Sequence, residues 1–465
     1  NKENKENLEN KENKENLENK ENKENLEDKE NLEDKEKEVK LDTIYFARRN
    51  IREANIPKFI KVISSYSFSE CQELNEMNIL NNSELETIEK YSFFKSSIQN
   101  ISIPPKVREI GEFCFAECSM LNSVDFHPDS MIKFISKSAF SNSSLVDISI
   151  PASITHISDC VFLGCKNLVS VNFSPNSQLY SIGSESFSKS SLRSLSIPRG
   201  VFIIGDRSFS YCPFLDHIEF DENPSLKIIG NCAFYNSSLK NIVIPHNVTH
   251  IGERTFSMCK LFQSIVFLSN ENLCSIGNYA FASSLLEEII IPSSLEEIGE
   301  GVFEDCKNLK SIQFPENSTL KIIKYGAFCG SSINNICIPS SVCQICVSAF
   351  SYCKKLRNID FGLNSELKSI ENHAFSNSAI ESIFIPSKEI KIHDRAFDSC
   401  LNLVSFESYS DDITIGTFCF NKSSKLFIAS FPNTKEFSMS NNAFTGIPSD
   451  FILFITPMVE VKVKK

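Results

Sequence analysis

From Ile56 onward, apolar and polar positions alternate in short bursts. Segments of the form L-x-x-I-x-I or L-x-x-I-x-F, such as LKSIQF at 309–314, carry an apolar side chain at every second residue over their last four positions. That is the pattern of a short strand with one face covered. A proline follows every second such segment, as in INNICI-P at 333–339, and ends the strand because it has no backbone donor. Between strands each segment repeats an Ile, a gap and a Phe: IGEGVF at 298–303, then IKYGAF at 323–328. The strand pattern returns after about 23 residues, too few to enclose a core, so successive coils must stack and share one.

A longer period is superposed on the short one. Ile-Pro pairs begin at 56, 103, 150, 197, 244, 291, 338 and 385, always 47 residues apart. Twelve residues after each Ile stands a Phe, from Phe68 to Phe397, and three further on a Cys, from Cys71 to Cys400. Such self-similarity marks a repeat array of eight double units over 56–431. The ends depart from it. Phe46 precedes Ile56 by ten residues, as Phe93 precedes Ile103, so 41–55 reads as a worn half-repeat serving as a cap. Glu389 stands where earlier units have Val or Ile, and Phe431-Pro432 arrives one residue early, so 432–465 reads as a degenerate cap and tail.

The pattern I-P-x-x-V-x-x-I-G-x-x-A-F-x-x-C-x-x-L-x-x-I-x-F resembles the leucine-rich repeats of BspA-like surface proteins of bacteria and parasitic protists. The resemblance spans about 56–431. It implies a β-rich repeat solenoid of leucine-rich-repeat type, with a parallel concave sheet and short strand, turn or 3-10/helical segments on the convex side. For function it implies adhesion to matrix proteins or to other cells.

Composition changes the picture in three places. The 39 Phe beside no Trp are what copying one short unit produces. The net charge of −12 argues against nucleic acid as a partner. Residues 1–40 hold ten Lys against thirteen Glu and two Asp, and their leucines at 8, 17 and 26 are nine apart, which alternates helix faces and forms no coiled-coil seam. This low-complexity segment is expected to be a solvated tether, disordered or loosely helical. The chain opens on Asn1 without a signal-like run, so a fragment is expected, and FILFIT at 451–456 is far below the roughly 17 residues that span a bilayer. No membrane span is expected in this chain.

Candidate chemistry is sparse. Equivalent cysteines of successive units lie two coils apart, close to ~10 Å at strand spacing, while a disulfide needs Cα atoms within about 7 Å. Ladder cysteines therefore read as buried thiols packing as small hydrophobes. Cys343 and Cys346 form a lone C-x-x-C with no histidine at ligand spacing, which argues against a metal site. Seven histidines are scattered, with no H-E-x-x-H, G-x-S-x-G or phosphate-cradling glycine loop, so no catalytic residue and no cofactor are expected, and the chain reads as a non-enzyme. Eight N-x-S/T matches, Asn81 and Asn236 among them, matter only if the protein is secreted.

The expected function is protein binding on the outward strand positions, which flank the central apolar residue of each strand. These are polar in the first units and then gain apolar members. The candidate face is Val243, Val266, Glu288, Ile290, Asn335, Cys337, Asn358, Asp360, Ser382 and Phe384. β-branched residues suit strands in any case; exposed apolar groups on one face also mark interfaces. The expected partner is a protein ligand, an extracellular-matrix or host-cell protein under the surface reading. The alternative is an intracellular leucine-rich-repeat scaffold in the cytoplasm, which the many unpaired thiols favour.

Overall fold

The computed structural model describes residues 42–45, 47, 49–268, 271–455 and 461–464. The expectations for 1–40 and for Phe46 lie outside the described residues. Residues Ile44–Lys465 form one compact unit. Among the described residues there is no helix: the convex-side segments left open by the sequence are turns and very short strands.

Each coil contributes one strand of three or four residues from the L-x-x-I-x-I pattern. Eighteen of these occur among the described residues, from Glu53–Ile56 to Ile452–Ile455. Asn100–Ile103 and Asp147–Ile150 show the expected alternation of exposed and buried residues along the strand. A second, two-residue strand follows on the next side of the coil, such as Glu109–Ile110 or His156–Ile157. All pairings are parallel. The two-residue strands form an unbroken ladder from Val62–Ile63 to Ser275–Ile276, and another from Glu297–Ile298 onward. The longer strands hydrogen-bond mostly in twos: Asn100–Ile103 with Ser123–Phe126, then Asp147–Ile150 with Ser170–Phe173.

The remaining side of the coil, carrying the I-G-x-x-A-F-x-x-C motif, has no strand yet is as well bonded. The amides of Tyr91, Phe93 and Lys95 donate to the carbonyls of Glu112, Cys114 and Ala116 in the next coil, and those of Phe113, Phe115 and Glu117 donate onward to Lys137, Ala139 and Ser141. To aim alternate amides along the stack, two residues per coil, four apart, take left-handed backbone: Tyr91 at φ 58° and Lys95 at φ 54°, Phe113 at 51° and Glu117 at 57°. A non-glycine residue there costs about 1–2 kcal/mol, and three coil-to-coil hydrogen bonds offset it. Glycine is required elsewhere, in the I-G bend, where a Cβ on Gly252 would sit 2.5 Å from the backbone of Gly230.

Among the described residues seventeen phenylalanines fill the axis. From Phe68 through Phe93, Phe115 and onward to Phe444, neighbouring rings are 4.9–5.6 Å apart and within 13° of parallel. Each ring packs between the coils above and below, which is why no coil can hold its shape alone.

Candidate docking surfaces

The two outward positions of each long strand form two rows running along the stack. In the second row the residues are Asn55, Asn78, Ser102, Asp125, Ser149, Asn172, Ser196 and Glu219 through the first eight strands, then Val243, Val266 and Ile290 in succession. Register places Val243 directly beside Val266. These three are 45%, 52% and 53% exposed, and Leu268, just past the strand, is 59% exposed. After Gln313 the row becomes mixed: Cys337, Asp360 and Phe384.

All ten candidate residues are exposed. They are not one patch. Val243, Val266, Glu288 and Ile290 lie on three consecutive coils. Asn335 and Asn358 are neighbours whose amides hydrogen-bond at 2.9 Å, with Cys337 beside Asp360 in the same pair of strands. Ser382 and Phe384 stand on a later coil, where the Phe384 ring meets Tyr409 edge-on at 5.0 Å above a shallow hollow lined by Glu407 and Ser430.

No disulfide joins any two of the seventeen cysteines. The ladder thiols have a bonding role that spacing alone did not reveal. Cys118, Cys165, Cys212, Cys259, Cys306, Cys353 and Cys400 each donate Sγ–H to the carbonyl of a Phe one coil earlier, at 2.9–3.2 Å. Each also lies 3.4–3.7 Å from a serine Oγ on that same earlier coil, so the column alternates Ser96, Cys118, Ser143, Cys165 and onward. Burial pushes these thiols up from 9.0, to about 11 at Cys212 and about 12 at Cys306. A neutral buried thiol is a poor nucleophile. Cys346 is likewise raised to about 11 by burial, then by Glu371. Among the described residues no three His, Cys, Asp or Glu side chains are placed to hold a metal ion, and no helix is long and apolar enough to cross a membrane.

The repeat itself spells some of the N-x-S matches. Asn142 and Asn236 occupy left-handed turn positions, which Asn tolerates well. The hydroxyls two residues on, Ser144 and Ser238, donate to the carbonyls of Ser119 and Pro213 in the preceding coil.

Sequence reasoning missed an aromatic row on the two-residue ladder: Phe134, His156, Tyr180 and Phe202 on four consecutive coils. Their unequal spacings of 22, 24 and 22 hid it, because the first two sit within the short strands and the last two just before them.

A profile described as the BspA type Leucine rich repeat region (6 copies) matches residues 40–169, 133–262, 227–357 and 321–449. No curated protein matches the chain. Among solved structures, a leucine-rich repeat protein from Bacteroides ovatus is 22% identical, with a TM-score of 0.57 over 87% of this chain and 92% of that one. The pneumococcal vaccine antigen PcpA is 17% identical, with a TM-score of 0.39 over 79% of this chain and 89% of its own. A leucine rich cell surface protein from Faecalibacterium prausnitzii is 19% identical, with a TM-score of 0.36 over 79% and 88%. The Bacteroides likeness supports the shared fold.

Proposed function

Since the chain belongs to the BspA-type leucine-rich repeat family, we propose that it is a non-enzymatic protein-binding solenoid acting at a cell surface, with an extracellular-matrix or host-cell protein as its ligand. The observation that carries the docking site is the switch along one row of outward positions, from eight polar residues to Val243, Val266 and Ile290. Strand propensity does not account for it, since the polar residues occupy the same strand position in coils of the same design. Burying three adjacent branched side chains removes apolar area worth about 25 cal/mol per Å², and the neighbouring outward row of Asn241, Ser264 and Glu288 is polar, as suits the rim of an interface.

The test begins with a pull-down that identifies a partner, followed by titration. Changing Ile290 and Phe384 together to Ser weakens binding at least tenfold, roughly 1.4 kcal/mol, while circular dichroism stays unchanged because both side chains point away from the core. Changing Ser123 and Ser170 to Ala leaves affinity within twofold. Unaltered affinity in the first variant moves the docking site off this row. The second reading, an intracellular scaffold, rests on seventeen cysteines without a disulfide, which sit more readily in a reducing compartment. Labelling intact cells with a membrane-impermeant biotin reagent separates the two: a labelled chain supports the surface reading, and an unlabelled one supports the scaffold.

A further inference from the structure

The aromatic row lies on a different side of the coil from the row bearing Ile290. Just before the two-residue strands, the backbone hydrogen bonds Lys133 to Arg108, Thr155 to Lys133, Tyr180 to Thr155, Phe202 to Tyr180 and Lys227 to Phe202, each pair one coil apart. The column of side chains therefore reads Arg, Lys, Thr, Tyr, Phe, Lys. Beside it, in the first position of the strands, stand Phe134 and His156. Phe134 is 47% and Tyr180 49% exposed.

Two independent features of this column call for negative charge. The first is the cations. Among the described residues fourteen lysines and arginines elsewhere in the stack pair with carboxylates, twelve of them across coils, such as Lys106 with Glu84 and Lys324 with Glu297, while others, Lys189 and Lys354 among them, do not. Arg108, Lys133 and Lys227 have no such carboxylate partner among the described residues. Two carboxylates adjoin the start of the column among the described residues: Glu86, one coil before Arg108, and Glu109, which accepts from Ser136 Oγ at 2.8 Å.

The second feature is ring orientation. Tyr180 and Phe202 are stacked 5.4 Å apart and within 5° of parallel, and Phe134 and His156 are 6.2 Å apart at 30°. Rings facing each other along the stack turn their edges outward. A ring edge carries the positive part of the aromatic quadrupole. It favours carboxylate and carbonyl oxygens, while the facing sides of Tyr180 and Phe202, and of Phe134 and His156, are closed to a nucleobase or a cation by the partner ring; His156 and Tyr180 are tilted at 55° to each other.

We propose that the column from Arg108 to Lys227 is a second docking surface, and that its ligand is an extended acidic peptide segment of a partner protein with apolar residues among its carboxylates. The column crosses five coil steps, ~24 Å at strand spacing, which about seven extended residues cover.

The probe is a synthetic ten-residue peptide alternating Glu with Leu, compared with the same peptide carrying Gln for Glu, the same carrying Lys for Glu, and a single-stranded oligouridylate, each titrated by fluorescence anisotropy against the full chain at low and physiological salt. The Glu peptide binds at least tenfold more tightly than the Gln peptide, and more weakly as salt rises. The paired variant Arg108→Glu, Lys133→Glu loses the Glu peptide tenfold or more and gains the Lys peptide. Phe134→Ser with Tyr180→Ser also weakens binding, whereas Ile290→Ser with Phe384→Ser leaves it unchanged, which keeps this site distinct from the row proposed above. Circular dichroism checks each variant, and the charge-reversed pair carries the test if the aromatic pair misfolds. Equal affinity for Glu and Gln peptides, no binding of the Glu peptide, indifference to charge reversal, or tighter binding of the oligouridylate overturns the proposal.

Discussion

The central coils and the last few coils are built from the same strands but joined by different corners. In the centre, the stretch between a long strand and the following two-residue strand alternates between seven residues, as at 127–133, and five, as at 151–155. Near the C-terminal end the corners shrink to three residues at 386–388 and 409–411, and four at 432–435. With alternating corners the long strands pair in twos. With nearly equal ones, Ser382–Ile385 to Ile452–Ile455 run as one four-stranded sheet, and the second ladder widens to four-residue strands such as Asp412–Ile415. Corner length, more than strand sequence, sets how far a hydrogen-bonded sheet extends. The cores differ too: the parallel spine runs through both regions, and near the end edge-on pairs such as Phe406 with Phe420 and Phe431 with Phe437 are added beside it.

The largest expected effect, at high pH, is shared by the two regions, since burial raises Cys400 and Cys419 near the end as it does the central thiols. The ladder thiols of the central coils are raised above 9.0, to about 11 at Cys118, Cys165 and Cys259 and about 12 at Cys353. A folded-state pKa raised above the unfolded one stabilises the fold fully below the unfolded value. That stability is lost as pH climbs from about 9 towards the folded value. Each thiol then contributes a loss of about 1.4 kcal/mol per pH unit, and several in one stack make the decline steep. Denaturant midpoints measured from pH 7 to 10.5 are expected to fall sharply above about 9. Replacing Cys212 and Cys259 with Ser, the residue that already fills the same place in alternate coils, should flatten that fall. An unchanged slope in the double variant would refute the assignment.

The phenylalanine spine gives the next largest effect. Phe256 is fully buried between Phe234 and Phe281, and Phe256→Ala should cost about 3–5 kcal/mol in chemical denaturation. Phe444 ends the described stack of parallel rings, with Phe420 on one side and a tilted Phe451 at 4.9 Å, and is partly exposed. Phe444→Ala should cost about half as much or less, because an end site has less to lose and more room to collapse. Equal costs would mean that the end coils share the central core fully.

The repeat, the coil number and the inward set were legible because each depends on one residue type at a fixed spacing: Ile before Pro, Phe twelve residues on, Cys three beyond that. What stayed hidden depends on neighbours in other coils. Pairing of the long strands in twos follows corner lengths, which no single strand records. The left-handed turn positions carry Tyr, Lys, Glu, Ser and Arg as well as Gly and Asn, so the usual glycine signal is missing. Cys212 reads as a small apolar filler until the Phe187 carbonyl is seen beneath it. Of the candidate site, the outward positions were legible from strand alternation. The aromatic column was not, because it crosses between two positions of the repeat.

The smallest expected effect concerns one step in the two-residue ladder. Up to Gly277 each coil hydrogen-bonds to the one before: Cys274 to Thr249 and Gly277 to Ile251, both at 2.8 Å. The bonding resumes with Lys321 to Glu296 at 2.7 Å and Lys324 to Ile298 at 3.0 Å. In between, the amides of Glu296 and Gly299 make no equivalent bonds to the coil of Cys274 and Ile276. The backbone stands off there as well: a Cβ on Gly277 would meet the preceding coil's backbone at 2.4 Å, whereas on Gly299 the nearest backbone atom is 3.3 Å away. The turn side holds the two coils together regardless, through Tyr279, Phe281 and Ser283 donating to Glu300, Val302 and Glu304. Global stability should therefore be unaffected while protection is lost locally. Hydrogen exchange followed by mass spectrometry or NMR should find the Glu296 and Gly299 amides exchanging at least tenfold faster than those of Lys321 and Lys324, which are bonded in the same manner one coil later. Equal protection at the two steps would show that the ladder closes in solution and that corner lengths alone distinguish one coil from the next.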